Sequence, residues 1–153
     1  MPSCRKLLLM TLSVVTLAVS SFGCGSGPKS SQPVMDYSTF VANLRDSGVS
    51  VEKAGEISQP FFSVKGKIIR ADGADIQVFE YVSPPAMDTE SKRVSTDGYT
   101  FTLPGIVTSV DWIAPPHLYK AGRIIVIYVG IDRSITGSLE KILGKQFAGA
   151  QTP

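Results

Sequence analysis

The stretch FFSVKGKIIRADGADIQVFEYVS, residues 61–83, restricts the fold more than any other part of the chain. Two runs rich in β-branched and aromatic residues flank Asp72-Gly73, a pair that tolerates the positive φ angles of a tight hairpin turn. Val64 to Arg70 and Asp75 to Val82 are therefore expected to pair antiparallel. Side chains alternate across a strand, so Ile76, Val78 and Glu80 share one face, and Gln77, Phe79 and Tyr81 the other. Apolar groups on both faces mark a strand that is covered on each side.

RIIVIYVG, residues 123–130, is the most apolar strand and the expected centre of the sheet. Around these strands the chain punctuates itself. Asp36 or Ser38 can cap a helix through Phe40, Val41 and Leu44, with Gly48 as its stop. Val49 to Val51 alternates as a short strand. Pro84-Pro85 opens a second helix running through AMDTESKRV. Asp97-Gly98 and Leu103-Pro104-Gly105 bracket a loop or small hairpin, YTFT, and Ile106 to Ile113 reads as the next strand. Ser134 caps a last helix through Leu139, Ile142 and Leu143, closed by Gly144. The order is α-β-β-β-α-β-β-α, an α+β domain of two layers with an antiparallel sheet and about three helices, over residues 36–148. Residues 149–153 are expected to be a disordered tail. Pro60…Gly66-Lys67-Ile68-Ile69 recurs as Pro116…Gly122-Arg123-Ile124-Ile125, which fits either a duplicated half or two strands that look alike after turns.

The N-terminus reads as a secretory signal over residues 1–23. Arg5 and Lys6 precede the aliphatic run Leu7 to Val19, which is short for a membrane span and suits a signal core. Two cleavage readings stand. Ala18-Val19-Ser20 fits ordinary signal peptidase. Ser21-Phe22-Gly23-Cys24 resembles a bacterial lipobox, which Gly23 and Cys24 match and from which Ser21 and Phe22 depart. Lipidation of Cys24 would explain a lone cysteine in the mature chain, because Cys4 lies in the removed part. Residues 24–35 are rich in Gly, Ser and Pro and read as a flexible tether. The 15 basic and 13 acidic residues differ only by Arg5 and Lys6. The mature chain is thus balanced in charge, which argues against nucleic acid as a partner.

The residues that carry chemistry are few. The one histidine, His117, lies in APPHLYK, and no G-x-S-x-G elbow accompanies it. No metal set or cofactor is expected: Asp72 and Asp75 in RADGAD are too few for calcium, and the glycines at 25–27 and 122 lead into no phosphate-binding helix. Asp88 and Glu90 are two apart on a helix and face different ways. Asp111 could pair with Arg123 or Lys120 across a hairpin. Tyr99, Phe101, Trp112, His117 and Tyr119, with Leu118, are expected near one hairpin tip. There they form either a contact surface for a protein or a cover over the sheet edge.

WIAPPHLYKAGRIIVIYVG and QPFFSVKGKIIRADGADIQVFEYV resemble a group of small bacterial extracytoplasmic proteins with signal or lipoprotein leaders. These carry W-x-A-x-P-H-x-Y followed by G-R-[IL]-I-V-x-Y-V-G. The likeness covers roughly residues 37–148. It implies export and an intact domain, and it brings no catalytic residue. The resulting expectation is an envelope lipoprotein with a non-enzymatic binding or accessory role, held to the membrane by its lipid, with an envelope protein or small ligand as partner. The alternatives are a secreted enzyme using His117, Asp111 and Tyr119, or a structural spacer in the envelope.

Overall fold

The structure, a computed structural model, describes residues 32–150. The signal segment, Cys24 and most of the expected tether lie outside those residues. The described chain is an α+β domain with three helices, a six-stranded antiparallel sheet and a separate two-stranded ribbon. In chain order the elements are α1 Tyr37–Asp46, β1 Val51–Ile57, β2 Gly66–Ala71, β3 Ala74–Glu80, α2 Pro84–Ser91, β4 Thr100–Leu103, β5 Ile106–Ser109, β6 Pro116–Ala121, β7 Ile124–Val129, α3 Arg133–Leu143 and β8 Ala148–Gly149. The large sheet runs β1-β2-β3-β7-β6-β8, so β3 and β7 form its centre. None of the described helices is long and apolar enough to cross a membrane.

Local chemistry sets most of the boundaries. Asp36 caps α1: its carboxylate accepts from the Thr39 amide at 2.9 Å, while the Thr39 hydroxyl accepts from the Asp36 amide at 3.0 Å, a reciprocal capping box. Ser83 caps α2, and Pro84 occupies the first turn, where no amide is needed. Asp132, one residue outside the helix, caps α3 through the Ser134 amide at 2.8 Å, so the expected cap Ser134 is already inside. Asp72 and Gly73 take φ of 46° and 87°, the positive pair of a type I′ turn. That turn leaves Ala71 directly opposite Ala74.

Five expectations change. The strand expected at Val49 to Val51 begins at Val51 and continues to Ile57, where Glu52, Lys53, Gly55 and Glu56 conceal it; it pairs only with β2, around a bulge at Ala54. Ile106 to Ile113 is not a strand of the main sheet: only Ile106–Ser109 is extended, and it pairs with β4 in the ribbon. HLYKAG is not a connection but most of β6, whose hairpin to β7 turns at Gly122-Arg123. The second helix stops at Ser91, and Val94 bridges to Phe101. At the C-terminus, Gly149 pairs with His117 and the Ala150 amide donates to the Pro116 carbonyl, so these two residues are part of the sheet. Residues 151–153 of the expected tail lie outside the described ones.

The two central hairpins align in a register other than the one the sequence suggests. Gly66 corresponds to Pro116, Ala71 to Ala121 and Ala74 to Ile124, whereas Gly122, the sequence counterpart of Gly66, sits in a turn. The helices that follow go to opposite faces. α1 and α3 bury Phe40, Leu44, Ile135 and Leu139 against Ile69, Ile76, Val126 and Tyr128, which is the expected helix-on-sheet pair of layers. On the other face α2, the ribbon and the segment before β2 form a thinner cover. It packs Phe61, Phe62, Met87 and Phe101 on Phe79, Leu118, Ile125 and Ile127.

Candidate functional site

The five aromatic-cluster residues do not form one surface. Phe101, His117 and Tyr119 are buried, Trp112 is half-buried, and only Tyr99, at 38% exposure, meets solvent broadly. They also divide between the faces: Tyr119 joins the helix-backed core, whereas Phe101 and Trp112 join the other. Phe101 stacks on Phe61 with centroids 3.8 Å apart, and Trp112 meets Phe61 edge-on while its indole N–H donates to the Gly98 carbonyl. These rings serve as cover for the sheet.

The polar groups considered for catalysis are likewise separated. His117 lies flat against Tyr128, with Nδ1 2.9 Å from Gln146 Oε1 and Nε2 3.2 Å from the Gly130 carbonyl. The histidine thereby ties the C-terminal segment to β6. The Tyr119 hydroxyl donates to the Thr136 carbonyl at 3.5 Å, and burial, assisted by the charge of Glu140, pushes its pKa up to about 12. Asp111 is exposed, and both of its expected partners are engaged elsewhere. Arg123 binds Glu80 at 2.8 Å, and Lys120 binds Asp88 at 2.8 Å. The carboxylates in RADGAD have local uses: Asp72 accepts from the Ser50 amide and Asp75 from Arg70. Glu90 is buried. It accepts from Arg93 at 2.8 Å and from the Ser63 amide at 3.3 Å. Beside it the buried Tyr81 hydroxyl has no hydrogen-bond partner, and burial raises its pKa. Among the described residues no three His, Cys, Asp or Glu side chains are grouped as metal ligands would be.

A concave surface lies elsewhere, between α1 and the edge strand β1. One cavity of about 310 Å³ is lined by Tyr37, Val41 and Arg45 of α1 and by Val51, Lys53 and Ile69 of the sheet. A second, of about 340 Å³, adjoins it at Lys53 and continues past the bulge to Glu56 and Lys67. Together they make a groove along one side of β1. Val41 and Ile69 give it an apolar floor, and Arg45 holds its rim by donating to the Val51 carbonyl at 3.3 Å. At the far end Lys67 stands 4.2 Å over the Tyr37 ring and binds Glu80 at 3.1 Å. Glu80 also binds Arg123, which fixes the start of α1 against the sheet. No partner strand lies on the outer side of β1 among the described residues, so its outward backbone groups, apart from the Val51 carbonyl that Arg45 occupies, have no strand partner.

Sequence reasoning missed this groove, because its residues are scattered over α1, β1 and β2 and no short motif joins them. The chain matches no family model, no curated protein and no solved structure.

Proposed function

We propose that this chain is an exported envelope lipoprotein, anchored through Cys24, whose domain binds an extended segment of another envelope protein. The observation behind the binding site is the open edge of β1 beside the α1 groove. An incoming strand gains main-chain hydrogen bonds from such an edge, and a neighbouring groove selects its side chains. The signal-like leader and the lone Cys24 support the location. The enzyme reading has less support: His117 and Tyr119 are buried, and Asp111 stands apart from both on the exposed surface.

The test is a photo-cross-linker placed at Lys53, then at Glu140 on α3, in intact cells, with the mass of the mature N-terminal peptide measured in parallel. A defined envelope partner should be captured from Lys53 and not from Glu140. Arg45→Glu, at an exposed position on the groove rim, should reduce the capture. Equal capture from both positions, or none from Lys53, would overturn the binding site. An N-terminal peptide that begins after Ser20 with a free thiol would overturn the anchor.

A further inference from the structure

We propose that the end of the sheet carrying Ile113 and Ile131 rests in the interface of a lipid bilayer, with these two side chains inserted. The inference builds on the membrane-anchored reading above and names the surface that meets the membrane. Ile113 is 100% exposed and Ile131 82%, so neither side chain covers its own domain. The Gly130 amide donates to the Pro115 carbonyl at 3.0 Å, which holds the two loops side by side where β6 begins and β7 ends.

The course of the N-terminal segment points to this end. Met35 lies at the opposite end, where its carbonyl accepts from the Arg123 amide in the β6–β7 turn. Three residues earlier, the Gln32 carbonyl accepts from Asn43 at 2.6 Å in the second half of α1. The end of α1 leads to Ser50, whose amide donates to Asp72 in the β2–β3 turn. The pairing of Ile76 with Tyr128 sets that turn beside the end of β7. The chain thus enters the domain from the side of Ile113 and Ile131. Cys24 precedes Gln32 by eight residues, so a lipid on Cys24 holds Gln32 within about 26–29 Å of the bilayer. Exposed Val82 lies at the far end, after β3. Asp111, Asp132 and Arg133 flank the isoleucines with no basic excess, so the contact is apolar rather than an attraction to anionic headgroups.

Hydrogen exchange read by mass spectrometry tests the placement on two preparations. One is the mature chain in phosphatidylcholine vesicles with whatever anchor the cell provides. The other is the same sequence from Cys24 onward, produced without its leader so that the Cys24 thiol is free, and coupled there to a maleimide lipid. The amides of residues 111–114 and 131–132 should exchange at least fivefold more slowly on vesicles than in solution, with the ribbon turn 104–107 unchanged. The double variant Ile113→Ser, Ile131→Ser, at positions too exposed to disturb folding, should lose that slowing. Equal rates on and off vesicles, or slowing that persists in the double variant, would overturn the proposal. Slowing on the maleimide vesicles, together with a native N-terminus that carries no acyl groups, would support the inserted end while removing the lipoprotein reading.

Discussion

On one face of the sheet two helices press Phe40, Leu44, Ile135 and Leu139 onto a floor of Ile76, Val126 and Tyr128. On the other, short segments without a long helix among them reach inward with Phe61, Phe62, Phe101 and Trp112. The first cover is built from many medium-sized aliphatics at helical spacing, each replaceable in part by its neighbours. The second is built from a few rings. A large planar ring removes much apolar area from water and surrenders only two torsions. Few segments therefore suffice to seal that face, but each ring carries more of the load.

The largest expected effect tests that difference directly. Phe101→Ala removes a fully buried ring that touches both Phe61 and Phe62, and should cost about 3–5 kcal/mol in urea denaturation. Leu139→Ala on the helix-backed face should fall within about 2–5 kcal/mol. The ribbon amides of Thr100 to Ser109 should lose exchange protection only in the first variant. Equal loss in both would mean that the two faces are one cooperative unit. On the helix-backed side, Gly122→Ala would drive a methyl group into the Met35 carbonyl at a φ of 52°. It should cost about 1–3 kcal/mol and release the segment before α1, read as faster proteolysis near Met35.

A smaller contrast comes from the two buried tyrosines. The Tyr81 hydroxyl, on the aromatic face, has no partner, whereas that of Tyr119 reaches the Thr136 carbonyl. Tyr81→Phe should leave the thermal midpoint unchanged or raise stability by up to about 1 kcal/mol, since an unmet buried hydroxyl is itself a cost. Tyr119→Phe should lower stability by about 0.5–1 kcal/mol. A loss in Tyr81→Phe would mean that the hydroxyl finds a bond, and Glu90 is the neighbour to examine. The smallest effect concerns acid. The hydrogen bond from Lys120, followed by that from Lys92, holds the Asp88 carboxyl down to about 2, below its ordinary 3.8. Its tie from α2 to β6 is therefore in place above the ordinary value and is lost as pH falls toward 2. Urea midpoints measured between about pH 5 and pH 2 should decline less steeply in Asp88→Asn than in the parent chain.

The parts of the fold legible in the sequence are those whose causes are local. Asp72-Gly73 favours a tight hairpin turn, the RIIVIYVG run is apolar enough to be interior, and Asp36 or Ser38 signals the start of α1. β1 escaped because an edge strand exposed along most of its length needs no alternation, and its Glu, Lys and Gly are residues that sheets usually avoid. β6 escaped because His117 and Lys120 interrupt its apolar pattern; the first is satisfied by Gln146 and Gly130, the second by Asp88, all distant in sequence. The aromatic cluster was legible as residues and not as a place, since rings in irregular segments carry no periodicity that says which way they point. The groove depends on α1 lying beside β1, a purely tertiary fact.

The bulge in β1 has a consequence for the membrane tether proposed above. Molecules tethered to the same membrane meet one another at an effective concentration far above that in solution. An open, regular strand edge would then recruit its own copies before any intended guest. At Ala54 the register slips, Gly55 takes a φ of 154°, and Glu52, Lys53 and Glu56 set charges of both signs along the rim. Two such edges cannot zip together along their whole length, and a guest strand on the regular stretch from Val51 to Lys53 has to take the Val51 carbonyl from Arg45. Under the function proposed above, the kink would act as a filter on who may pair, disfavouring self-association at this edge.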